Sequence, residues 1–230
     1  MKAAVFVLTS CFGCEFELLN LKEELLKIFK RFDFINFKLL KEKNVEGFYD
    51  IAFVEGGVSR EEEIREIKEI RERAKFLVAL GACACNGCVL TIKNFVRGAE
   101  EKVYGKNLFN SIRVDGIDAY VKVDYYLRGC PFSPHELVEL VKSLSVGKIP
   151  REKDYPVCFE CRRNKVNCLL DEKIFCLGPV SRGGCKAICP NFGYSCVGCR
   201  GLNPDANLEK LFSVLRKIGM SKKDIEERLR

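Results

Sequence analysis

Residues 2–14, K-A-A-V-F-V-L-T-S-C-F-G-C, pass from a short apolar run into a loop that holds Cys11 and Cys14. The run Lys2 to Leu8 suits a parallel strand buried on both faces, because it lacks polar alternation. From Glu15 to Phe29, apolar Phe16, Leu18, Leu19, Leu21, Leu25, Leu26, Ile28 and Phe29 recur among Lys and Glu at helical spacing. The unit is therefore strand, cysteine loop, helix. The opening M-K-A-A-V-F-V-L-T-S-C superficially resembles a lipoprotein export signal, but Ala3 to Leu8 falls short of the ~7–15 apolar residues of a signal core, which favours the strand.

Further units repeat this pattern. Phe34 to Leu40 and Ile51 to Val54 are strand candidates, and Ser59 with Glu62 forms a capping box for a helix from Arg60 to Arg73, striped by Ile64, Ile67 and Ile70. Phe76 to Leu80 is the next strand and ends at G-A-C-A-C-N-G-C. A helical stretch begins near Val89; the segment around Gly98, Gly105 and Gly116 carries no clear pattern. Ala119 to Val123 reads as a strand, R-G-C-P as a turn, and Ser133, Pro134 and Glu136 as the start of a helix to Leu144. Strands alternating with helices argue an α/β fold, a flavodoxin-like open parallel sheet spanning residues 1–150.

Ser145 to Pro156, with Gly147, Pro150 and Pro156, reads as a linker into a small irregular cysteine-rich module, residues 151–203. C-terminal helices near Leu208 to Ile218 and Lys222 to Leu229 form a tail, residues 204–230, expected to pack on the first domain or on a partner. With few large aliphatic residues between Cys158 and Cys199, the module is expected to be held by what its sulfurs bind.

The 230-residue chain has 14 cysteines, no convincing export signal and abundant Lys and Glu, so ligation is a better reading than disulfides. No window offers the ~20 apolar residues of a spanning helix. A formal charge of +7, spread without an arginine tract, gives little support to nucleic-acid binding and suits a solvated surface.

Cys11, Cys14, Cys83 and Cys130 each lie in a loop after a strand or the turn beyond it, and in an open parallel sheet such loops gather at the carboxyl edge. Gly13, Gly81 and Gly129 allow close backbone approach. Pro131 follows Cys130 and Pro190 follows Cys189, an iron–sulfur habit. Cys85 and Cys88 are left over: either can replace Cys83, which is nearest the strand end and hence the choice, and otherwise the two are small packing groups. Cys158, Cys161, Cys168, Cys176, Cys185, Cys189, Cys196 and Cys199 make two more four-sulfur sites.

The C-F-G-C loop, G-A-C-A, R-G-C-P and the eight-cysteine tail together resemble the small (delta or gamma) subunit of cytoplasmic group 3 [NiFe] hydrogenases, of the archaeal sulfhydrogenase type, related to the iron–sulfur subunit of NADH:quinone oxidoreductase. The resemblance covers essentially the whole chain and implies three [4Fe–4S] clusters. It implies a proximal cluster on Cys11, Cys14, Cys83 and Cys130, a distal one on Cys158, Cys161, Cys168 and Cys176, and a medial one on Cys185, Cys189, Cys196 and Cys199. Periplasmic and membrane-bound relatives have a histidine where Cys158 stands and a proline at Cys189, so all-thiolate, four-iron clusters are expected here.

The implied role is an electron relay from the nickel–iron site of a large subunit to a flavin/iron–sulfur reductase subunit, in the cytoplasm, with no catalytic residue on this chain. A zinc-stapled protein and a quinone- or ferredoxin-linked oxidoreductase subunit are the alternatives. Cys83 and Cys130 are isolated, whereas zinc ribbons pair their ligands. Glu15 and Glu17 read as first-turn acids of a helix, a proton relay being the other reading. His135 reads as helix packing or solvent-facing.

Overall fold

In β1 (Lys2–Val7), β3 (Tyr49–Glu55) and β4 (Ala74–Leu80), residues of both alternating sets are apolar, so neither face can be left to solvent and these strands take the centre of a sheet. β2 (Asp33–Phe37) and β5 (Tyr125–Leu127) flank them in the order β2-β1-β3-β4-β5, and every pairing is parallel. The order turns back between β1 and β3, which in such sheets opens a crevice outside the strands' carboxyl ends. The computed structural model describes residues 1–96, 98–105 and 111–229, with the Phe29 side chain outside the description. It forms two compact units, Met1–Pro150 and Arg151–Arg230.

The first unit is a three-layer sandwich. Ile51, Phe53, Val78 and Leu80 face α1 (Gly13–Asn20), α2 (Glu23–Phe29) and α7 (Pro134–Leu144), which contribute Leu18, Ile28, Leu137 and Leu140. Ala52, Val54, Leu77 and Ala79 face the other way, against Ile67 and Ile70 of α3 (Glu61–Arg73). Each buried Ile, Leu, Val or Phe among them contributes roughly 1.5–3 kcal/mol. Short helices α4 (Gly81–Asn86), α5 (Ile92–Phe95) and α6 (Ala99–Tyr104) lie between β4 and β5.

The structure departs from the sequence reading at four places. The helix expected from Glu15 to Phe29 is two, broken where Lys22 takes φ 49°. Ser59 and Glu62 are not the capping pair: the backbone N–H groups of Ser59 and Arg60 donate to Glu63 Oε2 at 2.8 and 3.1 Å, one residue further on, and Glu62 is exposed. The strand expected over Ala119 to Val123 is absent; a 3-10 turn covers Ile117–Ala119, Val121 and Val123 pack on the core, and pairing with β4 starts at Tyr125. Ser133 precedes α7 but caps through its carbonyl, which accepts Glu136 N–H at 3.0 Å.

The second unit holds α8 (Val157–Arg163), α9 (Ile188–Asn191), α10 (Leu208–Lys217) and α11 (Lys222–Arg228). Its C-terminal helices pack within the unit: Leu211, Leu215 and Ile225 close over Phe175, Leu177 and Val180. A second small cluster joins Val157, Leu169 and Ala187 to Cys176 and Cys196. The module thus has an apolar core of its own, because Phe175, Leu177 and Val180 would stay wet without the tail.

Candidate metal centres

At the carboxyl edge of the sheet the loops are laced to one another. Gly57 N–H donates to Thr9 O at 3.0 Å, and Ala82 N–H donates to Gly129 O at 2.7 Å, joining the loop after β1 to that after β3 and the start of α4 to the turn after β5. Gly81, at φ 82°, is required here: a Cβ would stand 2.2 Å from Cys14 Sγ. Cys11 and Cys130 are exposed, Cys83 is half-buried on α4, and Cys14 is buried on α1.

These four thiols share one electrostatic neighbourhood. Burial pushes the Cys14 thiol up to about 12, reinforced by the Glu55 carboxylate and by Cys130 and Cys11, while a hydrogen bond from Phe132 N–H works the other way. Cys130 is raised by burial and by Cys88 and Cys11. Cys83 is raised chiefly by its hydrogen bond with Cys88. Thiols held neutral by burial become ligands only when a metal displaces their protons.

The two leftover cysteines part company. Cys85 points into the core, its thiol 3.7 Å from Ala79 O, and is a packing group. Cys88 is half-buried, and its thiol is pulled down to about 6, chiefly by Cys83.

The residues following Cys14 also differ from ordinary first-turn acids. Glu15 is 2% exposed, its Oε1 has no hydrogen-bond partner among the described residues, and burial with the neighbouring Glu55 raises its carboxyl to about 7. Glu17 is half-buried and accepts from Asn20. His135 is exposed on α7.

In the second unit, α8 carries Cys158 and Cys161, one turn apart. Burial, then Cys161, Cys176, Cys168 and Cys196, raises Cys158 to about 12, so sulfurs from both expected groups of four lie close enough to act on it. Burial likewise lifts Cys161 to about 11. Gly178 fits against this group: a Cβ would meet Cys158 Sγ at 3.3 Å, and its N–H donates to Cys176 Sγ at 3.4 Å.

Of the remaining four, Cys196 is raised by burial, relieved by Ser181 and by Gly198 N–H, and raised again by Cys176 and Cys185. Cys189 rides on α9 and Cys199 follows Gly198, both half-buried. Backbone N–H groups aimed at sulfur, glycines that admit the thiols and thiol-only donor sets fit anionic iron–sulfur clusters. Among the described residues no three His, Cys, Asp or Glu side chains close on a single-ion site. A lone zinc needs its thiolates ~2.3 Å from one point.

Two residues at these sites escaped the sequence reading. Glu55 ends β3 and its carboxylate caps α1; a charged residue closing a buried strand was the available signal. Glu160, between Cys158 and Cys161, is buried and accepts Gly184 N–H at 2.9 Å, Ala187 N–H at 3.0 Å and the Tyr155 hydroxyl at 3.2 Å. Its spacing of three from buried Val157 places both on one helix face.

Compared with known proteins, residues 11–144 match the family described as NADH ubiquinone oxidoreductase, 20 Kd subunit. The chain is 37% identical to the delta subunit of Sulfhydrogenase 2 of Pyrococcus furiosus, over 100% of this chain and 98% of that one. It is 29% identical to a subunit of the F420-non-reducing hydrogenase vhu of Methanocaldococcus jannaschii, over 87% of this chain and 82% of that one. A solved NAD+-reducing [NiFe]-hydrogenase in the H2-reduced state superposes with a TM-score of 0.58 at 28% identity, covering 66% of this chain and 94% of its counterpart. The eight-cysteine segment lies beyond the family match.

Proposed function

We propose that this chain, which belongs to the family of the NADH ubiquinone oxidoreductase 20 Kd subunit and is the small, iron–sulfur subunit of a hydrogenase, relays electrons through three [4Fe–4S] clusters. The proximal cluster is held by Cys11, Cys14, Cys83 and Cys130, the distal by Cys158, Cys161, Cys168 and Cys176, and the medial by Cys185, Cys189, Cys196 and Cys199. The chain works in the cytoplasm between a large subunit bearing the nickel–iron site and a flavin/iron–sulfur reductase subunit. When bound, such clusters supply one-electron carriers whose potentials follow ligation, hydrogen bonding and burial.

One observation carries this reading: loops after three different strands bring Cys11, Cys14, Cys83 and Cys130 into one neighbourhood at the carboxyl edge of the sheet. Packing alone gives no reason for thiols so distant in sequence to meet there. The chain's own residues do the rest. Phe132 N–H and Gly178 N–H donate to sulfur, Glu55 and Glu160 fix the ligand loops, and exposed Phe12 and Phe16 beside the first site suit burial under the large subunit. No helix of the described residues is long and apolar enough to cross a membrane.

Relatives matching across nearly the whole chain are hydrogenase subunits, which favours this role over a quinone-linked one. The test is anaerobic purification of the native complex, with iron and sulfide analysis and electron paramagnetic resonance (EPR) of the reduced protein. About 12 irons per chain, four per cluster, and nickel on a co-purified large subunit are expected. A colourless, zinc-loaded chain, or iron for one cluster only, sinks the reading.

A further inference from the structure

Cys185 is preceded by two glycines, and the peptide that joins Gly183 to Gly184 is gripped at both ends. Its carbonyl, Gly183 O, accepts Arg200 Nε–H at 2.7 Å, and its N–H, on Gly184, donates to Glu160 Oε1 at 2.9 Å. In a trans peptide these two groups point in opposite directions. A cation and an anion therefore stand on either side of one peptide, each at the end its charge favours. Arg200 is 4% exposed and Glu160 2%, so salt and water screen neither charge well.

Neither glycine can give way to a stiffer residue. A Cβ at Gly183 would meet the Tyr155 ring at 2.4 Å, and Gly184 takes φ 111°. Two adjacent glycines leave the peptide between them free to rotate, so its orientation has to come from its partners. Arg200 directly follows Cys199, and its side chain thus ties the segment of one expected ligand to the loop of another. Alongside, Arg182 N–H donates to Gly201 O at 3.0 Å. Glu160 reaches past the peptide to Ala187 N–H at 3.0 Å and lies 3.7 Å from Cys185 Sγ. An apolar side chain at position 200 would serve packing alone, because burying a guanidinium is costly unless its charge is matched.

We propose that Arg200 is a positioning residue of the medial cluster: with Glu160 it fixes the Gly183–Gly184 peptide, and its buried positive charge offsets the carboxylate, so that the medial potential rests on two opposed charges. This rests on the cluster reading given above. Gly183 lies two residues, at most ~7 Å of chain, from Cys185. At that reach a positive charge favours the reduced, more negative cluster, whereas the Glu160 carboxylate disfavours it. The Cys185 thiol feels both charges: burial and then Glu160 push it up, and Arg200 pulls it down.

The experiment compares four anaerobically purified complexes of the full chain with its large subunit: unchanged, Arg200→Gln, Arg200→Lys, and Arg200→Gln together with Glu160→Gln. Iron is counted, and each cluster is titrated against potential by EPR. Arg200→Gln is expected to keep about 12 irons. At a fixed potential its ratio of reduced to oxidised medial cluster should fall about tenfold, a downward shift of about 59 mV. Arg200→Lys keeps the charge and should fall well short of that shift. The double variant should return towards the unchanged value, with the proximal cluster unmoved throughout. An unmoved medial potential in Arg200→Gln overturns the proposal, as does an equal fall in Arg200→Lys, a double variant no higher than Arg200→Gln, or a matching shift of the proximal cluster. If Arg200→Gln loses the medial iron, its retention in Arg200→Lys supports the charge role, and loss in both overturns it. An unchanged complex that itself lacks a medial signal defeats the cluster reading, and the role of Arg200 with it.

Discussion

Glu55, the last residue of β3, accepts the backbone N–H of Cys14 at 3.2 Å through one carboxylate oxygen and that of Glu15 at 2.8 Å through the other. A strand end from the sheet's centre thereby caps the helix that presents Cys14, which ties the loop's position to the most buried part of the fold. Burial raises the Glu55 carboxyl, and these two hydrogen bonds together with one from Ser10 pull it back. The balance leaves the group above the ordinary glutamate range, and its loss leaves two inward N–H groups unsatisfied.

Replacing Glu55 by Ala is therefore expected to cost about 2–4 kcal/mol, the scale of buried donors left without a charged acceptor, and to loosen the proximal site selectively. Iron counts should fall by up to four per chain while the tail clusters' EPR persists. A variant with full iron and unchanged thermal stability would deny Glu55 this role.

Glu63 joins α3 to the first cysteine loop, since its carboxylate accepts Thr9 Oγ1 at 2.7 Å as well as Ser59 and Arg60 N–H. Burial pushes its carboxyl up, but the hydrogen bonds from Ser59, Thr9 and Arg60 outweigh it and hold the group below the ordinary glutamate range. A depressed carboxyl stabilises the fold above its unfolded pKa of about 4.3 and ceases to do so as pH falls through the lower folded value. Unfolding of the full chain should show Glu63→Gln about 1–3 kcal/mol less stable at pH 7. That gap should narrow below about pH 4; a gap independent of pH would rule out the linkage.

Much of this was legible in the residues. β1, β3 and β4 announce themselves because strands covered on both faces need unbroken apolar runs, and parallel strands joined through helices leave few topologies. The placing of Cys11, Cys14, Cys83 and Cys130 after strands put them at one sheet edge. The conformation of Cys88 was not legible, because φ 43° at a non-glycine residue has no compositional signal, nor was the burial of Cys85, three residues earlier, in the core. The break at Lys22 was hidden because the apolar spacing runs on past it. The tail's packing was missed because Phe175, Leu177 and Val180 lie scattered among cysteines and become a surface only once folded.

Cys85 provides a control. With its sulfur 3.7 Å from Ala79 O and the residue 4% exposed, Cys85→Ala removes one small buried group. A loss of about 1 kcal/mol with unchanged iron content is expected. Loss of a cluster would instead make Cys85 a ligand.

Cys189 tests the medial assignment. With proline there the corner has no thiolate, so Cys189→Pro should lower the iron count by one per chain and give a three-iron signal in the oxidised state. Pro190 already stands in α9 one residue later, which makes a local folding defect a concern that Cys189→Ala, expected to lose the same iron, addresses. An unchanged iron count in both variants would remove Cys189 from the ligand set.

Glu160 bears on potential rather than iron content. Its carboxylate lies 3.7 Å from Cys185 Sγ and is held by Gly184 N–H, Ala187 N–H and the Tyr155 hydroxyl. With Cys185 a thiolate on a cluster, that fixed negative charge opposes the arrival of an electron and keeps the medial potential low. Glu160→Gln keeps an oxygen acceptor for the backbone donors and removes the charge, so the cluster should become easier to reduce. One unit charge about 5 Å away at an effective dielectric of about 20–60 amounts to roughly 50–150 mV. Redox titration followed by EPR should show the medial potential rising by that order with iron content unchanged, and the rise should shrink little in high salt because the pair is buried. A potential that stays put, or a variant that loses iron, would mean that Glu160 acts through the packing of the Gly184–Ala187 loop alone.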